Sequence, residues 1–358
     1  MPDSILDLPE TYARLDPEGL MDRIARLPGQ VEEAWDAGQR LVLPREYGDI
    51  DRVVVLGMGG SGIGGALLQA LAVQMRAPVP VATVRGYTLP EYAGARSLVL
   101  ASSNSGETEE TVATLTQAVE HGARCVVITT GGRLLEIARE RGLPALTYAW
   151  TGEPRAALGW SFASLLGICS SAGVLPGLDA ARGDALVSMR ALGTQITRSV
   201  DEAVNPAKRL ARVLEGRLPV FVGAEALAPV AYRWRTQVNE NAKSWAIVDE
   251  LPEMDHNAHA GYGLPRRVVP LLHAVFLRQE SLHPRLRLRV DATLEELKRA
   301  GVSGGVVAIP GRHPIEEVFW ALYFGDYVSY YLALLNDVHP SPTPTLASLK
   351  AYLATRAD

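Results

Sequence analysis

Two short segments carry a density of glycine and hydroxyl side chains that ordinary loops lack. The first reads Gly57-Met58-Gly59-Gly60-Ser61-Gly62-Ile63-Gly64-Gly65 and follows the β-branched run Val53-Val54-Val55-Leu56. The second reads Ser102-Ser103-Asn104-Ser105-Gly106-Glu107-Thr108-Glu109-Glu110-Thr111 and follows the run from Ser97 to Ala101. So many glycines cost conformational entropy, and close approach of backbone to an anion is the usual compensation. Ser and Thr ahead of a helix leave backbone N–H and hydroxyl donors pointing one way, a phosphate nest that needs no Lys or Arg. Ordinary N-capping, with Ser105 to Thr108 completing a cap, is the plainer account, but the segment stacks more hydroxyls than capping needs.

Gly57, Gly59 and Gly62 also spell G-x-G-x-x-G, which alone suggests a dinucleotide site. An NAD site needs an acidic residue at the end of the following strand. That strand ends Val84-Arg85-Gly86, so NAD is disfavoured, and an NADP oxidoreductase using Arg85 stands as an alternative.

Four further positions could do chemistry, and each has a plain reading beside the functional one. Glu240, in Asn239-Glu240-Asn241, falls on a helix expected to be anchored by Trp234, Val238 and Trp245. A lone Glu is ordinarily a solvated carboxylate, but one of modestly raised pKa suits proton shuttling. His256 lies in Leu251-Pro252-Glu253-Met254-Asp255-His256-Asn257-Ala258-His259. It is a loop histidine or a near-neutral acid–base group. A metal pair with His259 is a weaker rival, since no Cys and no helical H-E-x-x-H context supports it. Arg155, after Pro154, pairs with a surface carboxylate or stabilises developing negative charge. Lys350, on the last helix after Thr343, would ordinarily be solvated.

The elements that must position these residues alternate. Short apolar runs at 53–56, 79–84, 97–101 and 125–129 are separated by helical patterns, which argues a doubly wound parallel sheet. A helical region precedes them from about residue 11 to 43. After a helical connector the pattern restarts near Pro206, with strands expected at 220–222, 246–248, 269–276 and 306–309. A long apolar helix, Ile315 to Leu335, serves as core or dimer interface. Each half also holds a Leu-Pro-Glu, at 89–91 and 251–253, read as the end of its second strand. The ordered set argues duplication of one α/β unit. The expected division is residues 1–195, with the N-terminal helices and the phosphate loops, and 196–358, with the C-terminal helix.

Bulk properties narrow the classes. The 358 residues suffice for two domains, and 47% hydrophobic with 21% charged residues excludes extensive disorder. A formal net charge of -5 gives no global attraction to nucleic acid or anionic membrane. Cys125 and Cys169 read as buried thiols of a reducing compartment. No signal peptide or membrane-spanning stretch is evident, so a cytoplasmic location is expected.

The pair Gly-Met-Gly-Gly-Ser-Gly (57–62) and Ser-Asn-Ser-Gly-Glu-Thr (103–108) resembles the SIS, or sugar isomerase, fold. With Pro154-Arg155, Asn239-Glu240-Asn241, the Leu-Pro-Glu-x-x-His run and the C-terminal Lys in order, nearly the whole chain is similar to the bifunctional phosphoglucose/phosphomannose isomerases. The resemblance implies two SIS domains about a pseudo-twofold axis, with a C-terminal helix closing the site. It implies that Ser103, Ser105 and Thr108 hold a sugar phosphate, while Gly59, Gly60 and Ser61 line the sugar. Glu240 is then the base, Arg155 steadies the enediolate, and His256 opens the ring, from the partner subunit of a homodimer with a shared site. Lys350 falls beside the ring oxygen or hydroxyls, and Thr343 near C2. The sequence departs from the family at His339-Pro340, where an Asp is expected before the Pro, and this bears on the register of Thr343. The implied enzyme acts in glycolysis and gluconeogenesis on hexose 6-phosphates and needs no metal or organic cofactor. A non-catalytic SIS sensor is the alternative, although no basic recognition helix precedes the first unit.

Overall fold

The computed structural model describes residues 4–356. Three helices come first: α1 (Pro9–Leu15), α2 (Leu20–Ala25) and α3 (Leu27–Arg40). The first sheet is built from β1 (Arg52–Leu56), β2 (Val81–Val84), β3 (Ser97–Ser103), β4 (Arg124–Thr129) and β5 (Ala145–Thr147). Its helices are α4 (Gly59–Gln74), α5 (Glu109–Glu120) and α6 (Gly132–Arg141). The strands are all parallel in the order β2-β1-β3-β4-β5. The three-residue β5 is too short to announce itself in the sequence.

A connector follows, with a π-helical turn at Gly159–Ala163, α7 (Ser164–Ser171) and α8 (Asp179–Ile196). The second half contains α9 (Pro206–Leu214), β6 (Leu218–Ala224), α10 (Ala228–Asn241), β7 (Ile247–Leu251), β8 (Leu272–Gln279), α11 (Pro284–Arg299), β9 (Ser303–Ile309), α12 (Pro314–Leu335) and α13 (Pro344–Ala354). Its parallel sheet runs β7-β6-β8-β9. Counted from its own first strand, this order matches β2-β1-β3-β4, so topology supports the duplication read from the restart at Pro206. The Leu-Pro-Glu pair supports it less well. Leu251 ends β7, but Leu89 lies past the end of β2 in an irregular segment.

Side-chain alternation explains the layering. Val53 and Val55 of β1, Leu98 and Leu100 of β3, and Phe221, Val275 and Leu277 of the second sheet all belong to one central core. Val54, Leu56, Val99 and Ala101 point the other way into a core covered by α5 and α6. Val222, Ala224, Ala274 and Phe276 do the same beneath α11. The two sheets thus sandwich a shared helical layer to which α3, α4, α7, α8, α10 and α12 contribute. Cys125 and Cys169 are buried and free, and burial pushes both thiols up to about 12.

The helix α12 resolves the expectation of core or dimer interface in favour of core. By length and composition it could cross a membrane, yet it is almost wholly buried inside the protein. Its apolarity on every side is that of a central core helix. The C-terminal helix departs from expectation in the opposite sense. Every α13 side chain that the structure describes is exposed, including Leu346, Leu349, Tyr352 and Leu353. Within one chain its described side chains are not packed over any site.

Candidate active site

The order β2-β1-β3 places a switch point between β1 and β3, because α4 packs on the inner face of the sheet and α5 on the outer. Ligands of open α/β sheets bind where the chain leaves neighbouring strands toward opposite faces. The two glycine- and hydroxyl-rich segments are the loops that leave these strands. They touch: a methyl group added at Gly57 would come 2.9 Å from the carbonyl oxygen of Ser102.

The hydroxyls of the second loop are not used to cap α5. Thr108 occupies the N-cap position, but its side chain makes no capping hydrogen bond. Its Oγ1 instead shares a 2.9 Å hydrogen bond with Ser103 Oγ. Ser103 Oγ also accepts from Gly106 N at 3.1 Å, and Ser105 Oγ accepts from Glu107 N at 3.2 Å. The first turn of the twelve-residue α5 therefore keeps N–H groups free of side-chain caps beside a hydroxyl pair. That arrangement suits an anion. Gly106 holds the loop at φ 72° with the backbone of Gly131 directly against it. A methyl there would lie 1.8 Å from Gly131 O. Gly106→Ala is expected to lose at least about 2 kcal/mol of stability, measured by urea unfolding.

The first loop packs against the segment that carries Arg155. A methyl at Gly60 would approach Pro154 O to 3.3 Å and Arg155 Cα to 3.4 Å. Ser161 Oγ donates to Gly60 O at 3.1 Å, which ties the loop to the π-helical turn. Gly59, at φ 52°, has only open space where a side chain would stand. Ser61 is buried at the start of α4.

Arg155 is the centre of the arrangement. It is 5% exposed, and its Nε donates to Asn241 Oδ1 at 2.7 Å. Its Nη1 lies 3.4 Å from Glu240 Oε2, and its Nη2 donates to the carbonyls of Pro340 and Ser341 at 2.7 and 2.8 Å. Burial pushes the guanidinium below its ordinary value, and the carboxylates of Glu240 and Glu153 push it back. The Glu240 side chain remains 32% exposed, so its carboxylate is paired without being sealed off.

The last turn of α10 is held by a polar ladder on α12. Trp234 Nε1 donates to Ala321 O at 3.0 Å, Gln237 Nε2 to Asp326 Oδ1 at 2.9 Å, and Asn241 Nδ2 to Ser329 Oγ at 3.0 Å. Arg233 forms a fully buried ion pair with Asp326 at 2.9 Å and donates to the carbonyl of Arg155 at 3.0 Å. Asp326 and Arg233 escape a reading by loop motifs. The available signal is an acid in the middle of the apolar run 315–335, which must find a buried cation. Trp245, expected to anchor the helix, does not: it lies beyond α10 and is 83% exposed.

The other expected site residues are placed differently. His256 ends a 3-10 turn after β7, is exposed, and makes no side-chain hydrogen bond among the described residues. Its fellow in the metal reading, His259, has Nε2 3.1 Å from Asp255 Oδ1 and 3.4 Å from Thr293 Oγ1. Thr343 is the residue before α13 and makes no capping bond. The side chain of Lys350 lies outside the described residues. His339, at the departure from the family pattern, accepts from Ser341 N through Nδ1 at 3.2 Å. Arg85 donates to Gly62 O at 3.0 Å and stacks over Tyr232, so it braces the first loop from the second strand. Cavities of about 650 and 630 Å³ lie elsewhere, the first against β9 and α9 and the second between α4 and α10. Neither is lined by Ser103, Ser105, Thr108, Arg155 or Glu240.

Solved structures share this architecture. A hypothetical protein of Thermus thermophilus superposes with a TM-score of 0.74 at 18% identity, covering 97% of this chain and 92% of that one. The C-terminal domain of glucosamine-fructose-6-phosphate aminotransferase from Francisella tularensis superposes at 0.69 with 15% identity, covering 90% and 98%. Residues 203–353 match the bacterial phospho-glucose isomerase C-terminal SIS domain. The protein is thus a pair of SIS units with an arginine–carboxylate contact between them. At finer resolution the chain is 36% identical over 342 residues to the bifunctional phosphoglucose/phosphomannose isomerase of Caldicellulosiruptor bescii, covering 95% of this chain and all of that protein. It is 30% identical to the Aquifex aeolicus protein of the same name, covering 85% and 91%. A D-glucosamine-6-phosphate 4-epimerase of Sulfolobus acidocaldarius is 31% identical over 63% of this chain and 70% of its own length. The chain belongs to the bifunctional phosphoglucose/phosphomannose isomerase family.

Proposed function

We propose that this protein is an aldose–ketose isomerase that interconverts glucose 6-phosphate or mannose 6-phosphate with fructose 6-phosphate. One observation carries the reading. The Arg155–Glu240 contact joins the two halves beside Gly60, next to a loop whose hydroxyls are left over from helix capping. In this reading Ser103, Ser105 and Thr108 take the phosphate, and Gly59, Gly60 and Ser61 line the sugar. Glu240 removes a proton from C2 of the open-chain aldose and returns it at C1, while a second proton passes from O2 to O1. The cis-enediolate between these steps carries negative charge, which the fixed guanidinium of Arg155 stabilises. Proton transfer alone suffices for this chemistry.

Ring opening needs a proton moved between O1 and O5, and His256 is assigned that role from the partner subunit of a homodimer. Its exposure and its lack of side-chain partners among the described residues support this, as does the uncovered apolar face of α13. Lys350 and Thr343 are assigned to the ring oxygen and to the neighbourhood of C2. The division at residues 195 and 196 is kept, supported by α8 ending at Ile196 between the two sheets. A cytoplasmic location and a place in glycolysis and gluconeogenesis complete the proposal.

A coupled assay for glucose 6-phosphate formed from fructose 6-phosphate, repeated for mannose 6-phosphate, tests it. No turnover of either by the wild-type protein would refute it. The epimerase relative makes glucosamine 6-phosphate the informative third substrate. The double variant Ser103→Ala/Thr108→Val should raise KM by about 10- to 100-fold, the size expected for hydrogen bonds to a charged group. Its stability to urea should fall modestly, by about 1–3 kcal/mol, because Ser103 Oγ is the acceptor for the buried N–H of Gly106.

A further inference from the structure

Lys243 has no part in the mechanism above, yet it holds an unfavourable backbone conformation. It follows the C-cap of α10 at φ 53°, the left-handed region. Glycine is the usual residue at such a helix end, and a side chain there costs roughly 1–2 kcal/mol. From this position Nζ turns back over the helix end and donates to the carbonyl of Glu240. That bond alone is what a lysine at a helix C-terminus commonly does.

The second bond is not local. Nζ also donates to Pro340 O at 3.0 Å, and the same oxygen accepts from Arg155 Nη2 at 2.7 Å. The neighbouring carbonyl of Ser341 accepts from Arg155 as well. A cation from each half thus converges on one carbonyl at the root of the C-terminal segment. The described side chains of α13 are all exposed, so that helix is held to the body through the residues before it.

We propose that Lys243 is a positioning residue: with Arg155 it clamps residues 340–341 to the end of α10 that carries Glu240, and so sets where the C-terminal segment stands relative to the base. This rests on the isomerase reading for its catalytic consequence, though not for the clamp itself. The charged groups around Nζ are Arg155, Glu240 and Glu153. Burial and the positive charge of Arg155 hold the amine down at about 8, against the pull of the two carboxylates. Two cations held close around a shared acceptor have that effect.

The test compares Lys243→Gly, Lys243→Gln and Lys243→Arg in the full chain. The glycine variant removes the amine and also relieves the backbone strain, so its thermal midpoint should hold or rise. Its kcat should nevertheless fall by about 10- to 100-fold, the size of a misplacement near 1 Å. KM for fructose 6-phosphate should stay within about twofold, because the phosphate loop is untouched. The arginine variant should recover part of kcat. Hydrogen exchange of the amides at 341–347, followed by mass spectrometry without substrate, should quicken in the glycine and glutamine variants. Wild-type kcat in the glycine variant, or unchanged exchange at 341–347, would overturn the proposal. If the wild-type protein turned over no hexose phosphate, the function reading would fail while the exchange measurement still decided the clamp.

Discussion

Glu240→Gln is expected to lower kcat for fructose 6-phosphate by about 10³-fold, within the usual range for losing a general base. The substitution is nearly isosteric, and the amide can still accept from Arg155 Nη1, which stands 3.4 Å from the carboxylate oxygen. The fold should therefore persist, since Asn241 and the two C-terminal carbonyls continue to hold Arg155. Phosphate affinity should also persist, because Ser103 and Thr108 sit on a different loop in the other half. Steady-state kinetics together with equilibrium binding of a non-isomerisable hexitol 6-phosphate separate the two effects. Normal turnover by the variant would sink the assignment of Glu240 as base. Lost binding with lost turnover would instead make Glu240 a structural partner of the arginine.

Arg155→Met should be the more damaging substitution, because the arginine serves stability and chemistry at once. Its guanidinium is buried and satisfies Asn241 Oδ1, Pro340 O and Ser341 O while facing Glu240. Removing the guanidinium takes away the donor that Arg155 gives to Asn241 Oδ1 and Ser341 O, at about 1–3 kcal/mol for each buried acceptor left unsatisfied. The urea midpoint should fall accordingly. In the fraction that remains folded, kcat should drop by a further ~10²- to 10³-fold through loss of enediolate stabilisation. Arg155→Lys distinguishes the contributions. Lysine keeps the charge but cannot span Asn241 on one side and two carbonyls on the other. It should regain more activity than stability. A lysine variant with wild-type stability would mean that the guanidinium contacts contribute little to the fold.

The parts of the fold and site differ in how far the sequence announced them. The hydroxyl-rich loop at 103–108 was legible because its signal is local: hydroxyls, a glycine and the start of a helix within ten residues of one strand. Even so, composition did not decide between capping and anion binding. The structure shows only that Thr108 Oγ1 turns toward Ser103 rather than capping the amides of α5. At the other extreme, β9 begins Ser303-Gly304-Gly305, a poor strand sequence by propensity. It pairs because β8 offers an open parallel edge from His273 onward. The anchoring assigned to Trp245 failed for a related reason. Helical spacing carries a pattern onward, but α10 stops at Asn241 and the chain reverses through the left-handed Lys243.

By itself the sequence determined the alternation of strand and helix, the repetition of that pattern, and the two loops at the switch point. Each is written in residues close together along the chain, where periodicity and glycine content act directly on the backbone. Only the tertiary structure decided that Arg155 meets Glu240 and Asn241, that both halves share one helical layer, and that Lys243 and Arg155 grip the same carbonyl of Pro340. These partners lie 85 to 185 residues apart. Their meeting depends on how α10 seats against α12 through Trp234, Gln237 and Asn241. No local propensity encodes that seating, because it is set by burial of both helices between two sheets.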